Sequence, residues 1–234
     1  MRASRDCSPN FAAVSRLGPR THLIYTIADV IEQRTNGLVG FMQSWHKDYL
    51  VPDRECGDCQ ACCIVTAIDK PEIQKMANSP CRHSLCGGCD VYETRPPVCR
   101  EYYCGWRRMD LFPAGWRPDK SAFFFELEAD QPPPFQPMGI SIMLVGNPLK
   151  CIRQPDFIDF VARNVRSKVA LFLGVPGPKG KQAARLPLNN NEIVQAASQS
   201  RAELRLALEK ILKRLQGHTF IPYVMENSGQ DAST

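Results

Sequence analysis

No stretch of the chain approaches the roughly 18 uninterrupted apolar residues that a membrane-crossing helix needs, so no span is expected. The opening residues, MRASRDCSPNFAAVSR, lack an apolar core followed by a small-residue cleavage site, so they do not form a secretory signal. Their Arg and Ser content is slightly that of an organelle transit peptide, but Asp6 and the missing amphipathic pattern argue against one. A cytoplasmic address follows by default. Acidic excess is also missing: 29 Lys and Arg against 24 Asp and Glu leave a net charge of +5. Each metal-bound thiol would add a negative charge to that count, so the basic balance is weak evidence for nucleic acid, which is not expected as a partner. No G-x-G-x-x-G follows a strand-like run. The stretch GVPGPKGKQ fails as a phosphate loop, with five residues between Gly174 and Gly180 and Gln182 where Ser or Thr should stand. Six basic residues without an acid run from Arg163 to Arg185, a pattern that a solvated face with a flexible loop explains.

Cysteine is what the chain has in excess. Eleven occur among 234 residues, and nine of them lie between Cys56 and Cys104. A disulfide framework would need an oxidising compartment, and bridging the adjacent Cys62 and Cys63 would strain the ring they form. Metal ligation is the better reading. Three C-x-x-C units occur: Cys56–Cys59, Cys59–Cys62 and Cys86–Cys89. Residues three apart in a tight turn can aim both sulfurs at one centre, and Gly57, Gly87 and Gly88 suit such turns. CGGC at 86–89 superficially matches a redox pair, but no βαβ context surrounds it.

A tetrahedral site takes four ligands, and nine cysteines exceed that. The pair Cys62–Cys63 therefore leaves two readings open: each thiol serves a different centre, or one ligates while the other packs as a small apolar side chain. The C-x2-C-x2-C spacing of Cys56, Cys59 and Cys62 also occurs in iron–sulfur ligation, although the usual following C-x3-C-P is missing. Thiolate sites suit zinc and iron–sulfur clusters, not magnesium or calcium. His83, within CRHSLC, could replace a thiolate, whereas His22, His46 and His218 are scattered and read as structural.

CGDCQACC at 56–63, PC-x3-L at 80–85 and CDVYETRPPVCREY at 89–102 closely resemble the CxxCxxCC family, the YkgJ-type group described as a zinc- or iron-chelating domain. The likeness covers about 50 residues, and WRPDKSAFFFEL at 116–127 is similar to the strand that follows the cluster in one branch. It implies metal ligands at Cys56, Cys59, Cys62, Cys63, Cys81, Cys89 and Cys99, with Cys86 and Cys104 as branch-specific additions. Tyr92, Glu93, Arg95, Pro96 and Arg100 complete its Y-E-x-R-P-x-x-C-R segment. There Arg95 and Arg100 could offset thiolate charge, hold a carboxylate or make structural salt bridges, and Pro96 would fix the turn before Cys99. A larger relative, the flagellin lysine methylase, is similar over the cysteine block, which keeps methyl transfer as an alternative.

Elsewhere the apolar spacing predicts helices from His22 to about Leu50 with a break at Gly37, a short one at Pro71–Ala77, one opening at Pro155 with Val169 on its apolar face, and one from about Glu192 to Leu215. Ser121–Leu127 and Gly139–Val145 read as two strands joined by QPPPFQP. The expected fold class is α+β: helices flanking a cysteine-rich, metal-organised loop region with a small antiparallel strand pair. The expected organisation is a disordered basic lead-in at 1–21, a cysteine-cluster metal-binding domain with an N-terminal helix at 22–150, a helical part at 151–223 and a disordered tail at 224–234. The expected function is a metalloprotein holding an iron–sulfur cluster, of 4Fe–4S type, or zinc, with an unknown protein or small-molecule partner. A methyltransferase or redox enzyme using that centre is the alternative.

Overall fold

The computed structural model describes residues 49–85 and 88–225. The lead-in at 1–21, nearly all of the helix expected from His22, Cys86 and the tail beyond residue 225 lie outside these residues. The fold class is α+β, as the residue patterns predict.

Two short hairpins occupy the cysteine block. Strands β1 (Ile68–Lys70) and β2 (Ile73–Lys75) pair antiparallel, as do β3 (Ser84–Leu85) and β4 (Gly88–Cys89). The helix expected at Pro71–Ala77 is therefore a strand. Pro71 sits in the turn, and Ile73, Lys75 and Ala77 point inward at period two rather than at helical spacing.

A four-stranded sheet follows, in the order β5-β6-β7-β8. The expected strand pair is present as β5 (Phe123–Glu128) and β6 (Gly139–Leu144), antiparallel from Phe123 opposite Leu144 to Glu128 opposite Gly139. β7 (Leu171–Val175) runs parallel to β6, and β8 (Ala184–Pro187) antiparallel to β7. Both were missing from the sequence reading. The Pro155 helix, α1 (Pro155–Arg166), stops three residues short of Val169, and Lys168 adopts a positive φ of 57° before the chain turns into β7. The helix expected over 192–215 is two, α2 (Asn191–Gln199) and α3 (Arg201–Gln216), because Ser200 is extended at φ −161° and its Oγ caps α3 by accepting from Glu203 N at 3.1 Å. Asn190 caps α2 in the same way. Strands come from both sides of residue 150, and buried residues from Trp106 to Leu215 share one core.

Alternation gives the sheet two dissimilar faces. Phe123, Phe125, Ile140, Ile142, Leu144, Leu171 and Leu173 point toward α1, α2 and α3. Phe125 stacks on Phe112 at 4.0 Å between centroids, and Phe123 on Phe157 at 4.8 Å. The stripe Leu204, Leu208, Ile211 and Leu215 closes the helical side. On the opposite face Phe124 and Met143 pack with Ala61, Cys59, Cys62 and Cys104. The cysteine block lies on the back of the sheet. Arg54, 8% exposed, fastens its start: the guanidinium donates to the carbonyls of Trp106, Met109 and Phe112.

Truncating Phe125 to alanine removes the ring shared by Phe112, Trp116 and Phe160. The expected loss is about 3–5 kcal/mol of unfolding free energy, read from denaturant melts of wild type and variant.

Candidate metal centre

The segment Cys56–Cys63 begins with a turn in which Cys59 N donates to Cys56 O at 2.9 Å. Gly57 takes a φ of +51°, and an added Cβ would stand 3.1 Å from Arg117 Nη1. Arg117 clamps this turn. Its Nη2 donates to Asp58 at 2.6 Å, Nη1 reaches Cys56 O at 3.4 Å, and Asp119 grips the guanidinium from the far side at 2.6 and 2.7 Å. Burial opposes the charged Asp119, but the Arg117 fork outweighs it and holds the carboxyl below its ordinary range. The WRPDK stretch thus has a local physical role, holding the first C-x-x-C in shape.

A short helix, Ala61–Val65, carries the adjacent pair. Successive helical residues point about 100° apart, so Cys62 packs toward Phe124 and Met143 while Cys63 turns to Lys75 and Arg95. Cys81 is drawn in by its N–H bond to Cys63 O at 2.9 Å, and its sulfur accepts from His83 N at 3.5 Å. The β3–β4 hairpin brings Cys89, and Gln60 ties it down by donating to Leu85 O and Gly88 O while accepting from Ser84 Oγ at 2.6 Å. Cys99 rides on the turn Pro97–Arg100, entered through Pro96 as expected.

All seven predicted ligands line one cleft of about 1190 Å³ between the cysteine block and the back of the sheet. The described cysteines are all free, and those of the block are half-buried. Cys151 belongs instead to the helical core. His83 stands at the cleft, but Nδ1 faces Asp90 at 3.0 Å and Nε2 accepts from Arg82 at 3.1 Å, so both ring nitrogens are engaged. Arg95 stacks on Tyr92 at 3.8 Å and is among the charges facing Cys56, Cys63 and Cys99; Arg100 is exposed.

Lys75 and Arg107 escaped the sequence reading, and Cys104 entered it only as a branch-specific addition. Lys75 is 5% exposed, donates to the carbonyls of Ile64, Met76 and Ser79 at 2.9–3.1 Å, and brings its charge beside Cys63 and Cys81. A lysine at an inward position of an alternating segment was the signal. Cys104 precedes the short helix Gly105–Arg108, whose Arg107 N–H donates to the Cys104 carbonyl at 2.9 Å. Arg107 itself lines the cleft and keeps a buried Nε–H without a hydrogen-bond partner.

The thiols differ sharply in acidity. Burial pushes Cys59 up to about 12 and Cys104 to about 11, although nearby backbone N–H groups oppose the rise at both. Cys62 is raised first by its hydrogen bond to Cys63 and then by burial. The same bond, with Lys75 assisting, lowers Cys63 to about 7. N–H donors and cations thus surround sulfurs whose charge burial disfavours, an arrangement that a bound cation would complete. The donor chemistry fits zinc or an iron–sulfur cluster. The spacing is not yet closed: among the described residues no three His, Cys, Asp or Glu side chains are gathered tightly enough to hold an ion. Coordination would require the side chains or their turns to draw inward.

Searches against family models, curated proteins and solved structures find no match to this chain. No helix among the described residues is long and apolar enough to cross a membrane.

In metal-free, reduced protein, Cys63 gains its thiolate as pH rises through about 7, while Cys59 stays protonated until about 12. Iodoacetamide labelling followed by peptide mass spectrometry should show Cys63 alkylated first, its rate climbing between pH 6 and 8 on the scale of a typical thiol titration, roughly two units earlier than an unperturbed cysteine. Equal rates at the two sites contradict this assignment. Lys75→Met should shift the Cys63 profile to higher pH.

Proposed function

We propose that the chain is a cytoplasmic metalloprotein that binds an iron–sulfur cluster or zinc through the cysteines of its 56–104 block. One observation carries the reading: thiols from four separate segments converge on a single cleft, with the His83 N–H donating to Cys81 and with Lys75, Arg95 and Arg107 set around them. Converging disulfides would not need these cations, and packing thiols would not need N–H donors. Cys56, Cys59, Cys62, Cys63, Cys81, Cys89 and Cys99 would supply the sulfur ligands. Zinc would organise the segment structurally, and a cluster would add one-electron chemistry.

A second reading, an enzyme that uses the centre, draws on the rest of the cleft. Its sheet-side wall carries Tyr102, Glu126, Ser141 and Arg185, and its volume is that of a small-molecule pocket rather than of a lone ion. Burial, with Glu128 adding to it, raises the Glu126 carboxyl above its usual range. These groups could face a substrate, of a methyl-transfer or redox reaction, beside the metal.

Anaerobic purification followed by elemental and acid-labile sulfide analysis tests the metal-binding reading. Stoichiometric iron with sulfide, or stoichiometric zinc, is expected; folded protein free of metal contradicts it. Arg117→Ala frees the first C-x-x-C turn and should weaken metal affinity by about 10–100-fold, measured by chelator competition. An unchanged affinity would assign Arg117 to the fold alone.

A further inference from the structure

Two guanidinium groups at the cleft have no acid to answer them. Arg95 and Arg107 both line it, and among the described residues neither forms an ion pair. Arg95 is held in place: its Nε donates to Tyr92 O at 2.9 Å, and its guanidinium carbon lies 3.8 Å from the centre of the Tyr92 ring. Its two terminal nitrogens have no hydrogen-bond partner among the described residues. Arg107 keeps a buried Nε–H without a partner. Both charges act on Cys56, so the two groups approach one part of the cleft. Other arginines are paired: Arg117 with Asp58 and Asp119, Arg153 with Glu209, Arg185 with Glu128, and Arg201 with Asp159.

The sheet wall presents the opposite sign. Glu126 of β5 stands directly opposite Ser141 of β6, on the face that carries Phe124 and Met143, and both line the cleft. Ser141 is 2% exposed, and its hydroxyl has no hydrogen-bond partner among the described residues. Arg185, the cation that could meet Glu126, is taken by Glu128 and lies over the Phe172 ring. Glu126 is therefore a carboxyl without an ion pair in the same cleft. The two ends are near each other: Glu126 and Cys104 both act on Tyr102, and Arg107 acts on Cys104.

We propose that the cleft binds a small zwitterion, an amino acid or a short peptide, whose carboxylate is held by Arg95 and Arg107 and whose ammonium group is received by Glu126 and the Ser141 hydroxyl. A guanidinium fork matches a carboxylate through two parallel N–H bonds. An ammonium group offers three donors, which a carboxylate and a hydroxyl can accept. Tyr92, Tyr102 and Tyr103 supply aromatic surface for the carbon chain of such a ligand. A cleft of about 1190 Å³ has room for a molecule that carries both charges, where a lone ion would fill little of it. This gives a substrate class to the second reading above, on which it rests, and it requires no bound metal.

Calorimetric titration of the as-purified protein at fixed ionic strength tests it. The probes are glycine, β-alanine, γ-aminobutyrate and triglycine, each set against a counterpart without the ammonium group: acetate, propionate, butyrate and N-acetyltriglycine. At least one zwitterion should bind saturably and about 10-fold or more tighter than its counterpart. Triglycine as the tightest probe would mark a peptide ligand rather than a free amino acid. Arg95→Gln and Arg107→Gln should each weaken that probe by about 10-fold or more. Glu126→Gln should remove the advantage over the counterpart and spare the counterpart's own affinity, while Arg153→Gln, outside the cleft, should change neither. Circular dichroism confirms the fold of each variant. Absence of saturable binding by every probe overturns the assignment, and so does a complex that loses nothing when the ammonium group is removed. Either result leaves the metal analysis standing. Saturable binding by a protein that never turns its ligand over would fail the enzyme reading alone and keep the site.

Discussion

Burial of the central sheet on both faces is the constraint on which the rest depends. All six residues of β6 are buried, and β5 begins with three consecutive buried phenylalanines. An antiparallel pair can leave one face in water, but this pair cannot, because Phe124 and Met143 on the second face are as apolar as the first. One covering is conventional: α1, α2 and α3 close over Phe123, Phe125 and their neighbours. The other is the cysteine block, whose own regular structure amounts to hairpins of two or three residues per strand and short helical turns. Such a segment cannot bury enough apolar surface to order itself. It depends on the sheet beneath it.

What holds it there is mainly polar. Arg54, Gln60, Lys75 and Arg117 each bond two or more groups on separate turns, and each reaches backbone carbonyls that no ladder satisfies. Three of the four are cations, and Lys75 lies beside the thiols. Their positive charge is therefore both mechanical and electrostatic: it closes loops and favours thiolate. The contrast between Cys63, lowered to about 7, and Cys59, raised to about 12, follows from the hydrogen bond that Cys62 makes to Cys63, with Lys75 assisting, and from the pressing of Cys59 against the apolar back of the sheet.

Legibility along the chain followed the strength of the local signal. The runs FFFEL and GISIML were plain as strands, and Leu204 to Leu215 as a core stripe, because period and composition agreed. Pro71–Ala77 misled because its helix-compatible residues serve an alternating strand whose inward lysine is bonded by carbonyls far along the chain. β7 was hidden because the glycines and prolines after it suggested a loop from Gly174, and a parallel strand has no turn signal linking it to its neighbour. The break at Ser200 was invisible because apolar periodicity continues through it, and only its extended backbone and cap separate α2 from α3.

The candidate site divides the same way. Clustered thiols at C-x-x-C spacing are a property of the sequence, since residues three apart meet in any tight turn, and the seven cysteines that the family resemblance implies as ligands all line one cleft. Sequence alone thus determined which thiols are clustered and which of them gather at one cleft. Tertiary structure decided how the donors are arranged: Cys104 set against the sheet with Cys59 and Cys62, Cys63 turned toward Cys81 and Cys99, His83 engaged by Arg82 and Asp90, and Cys151 kept apart in the other core. Those relations join residues tens of positions apart through packing on a two-faced sheet, and no local spacing encodes them.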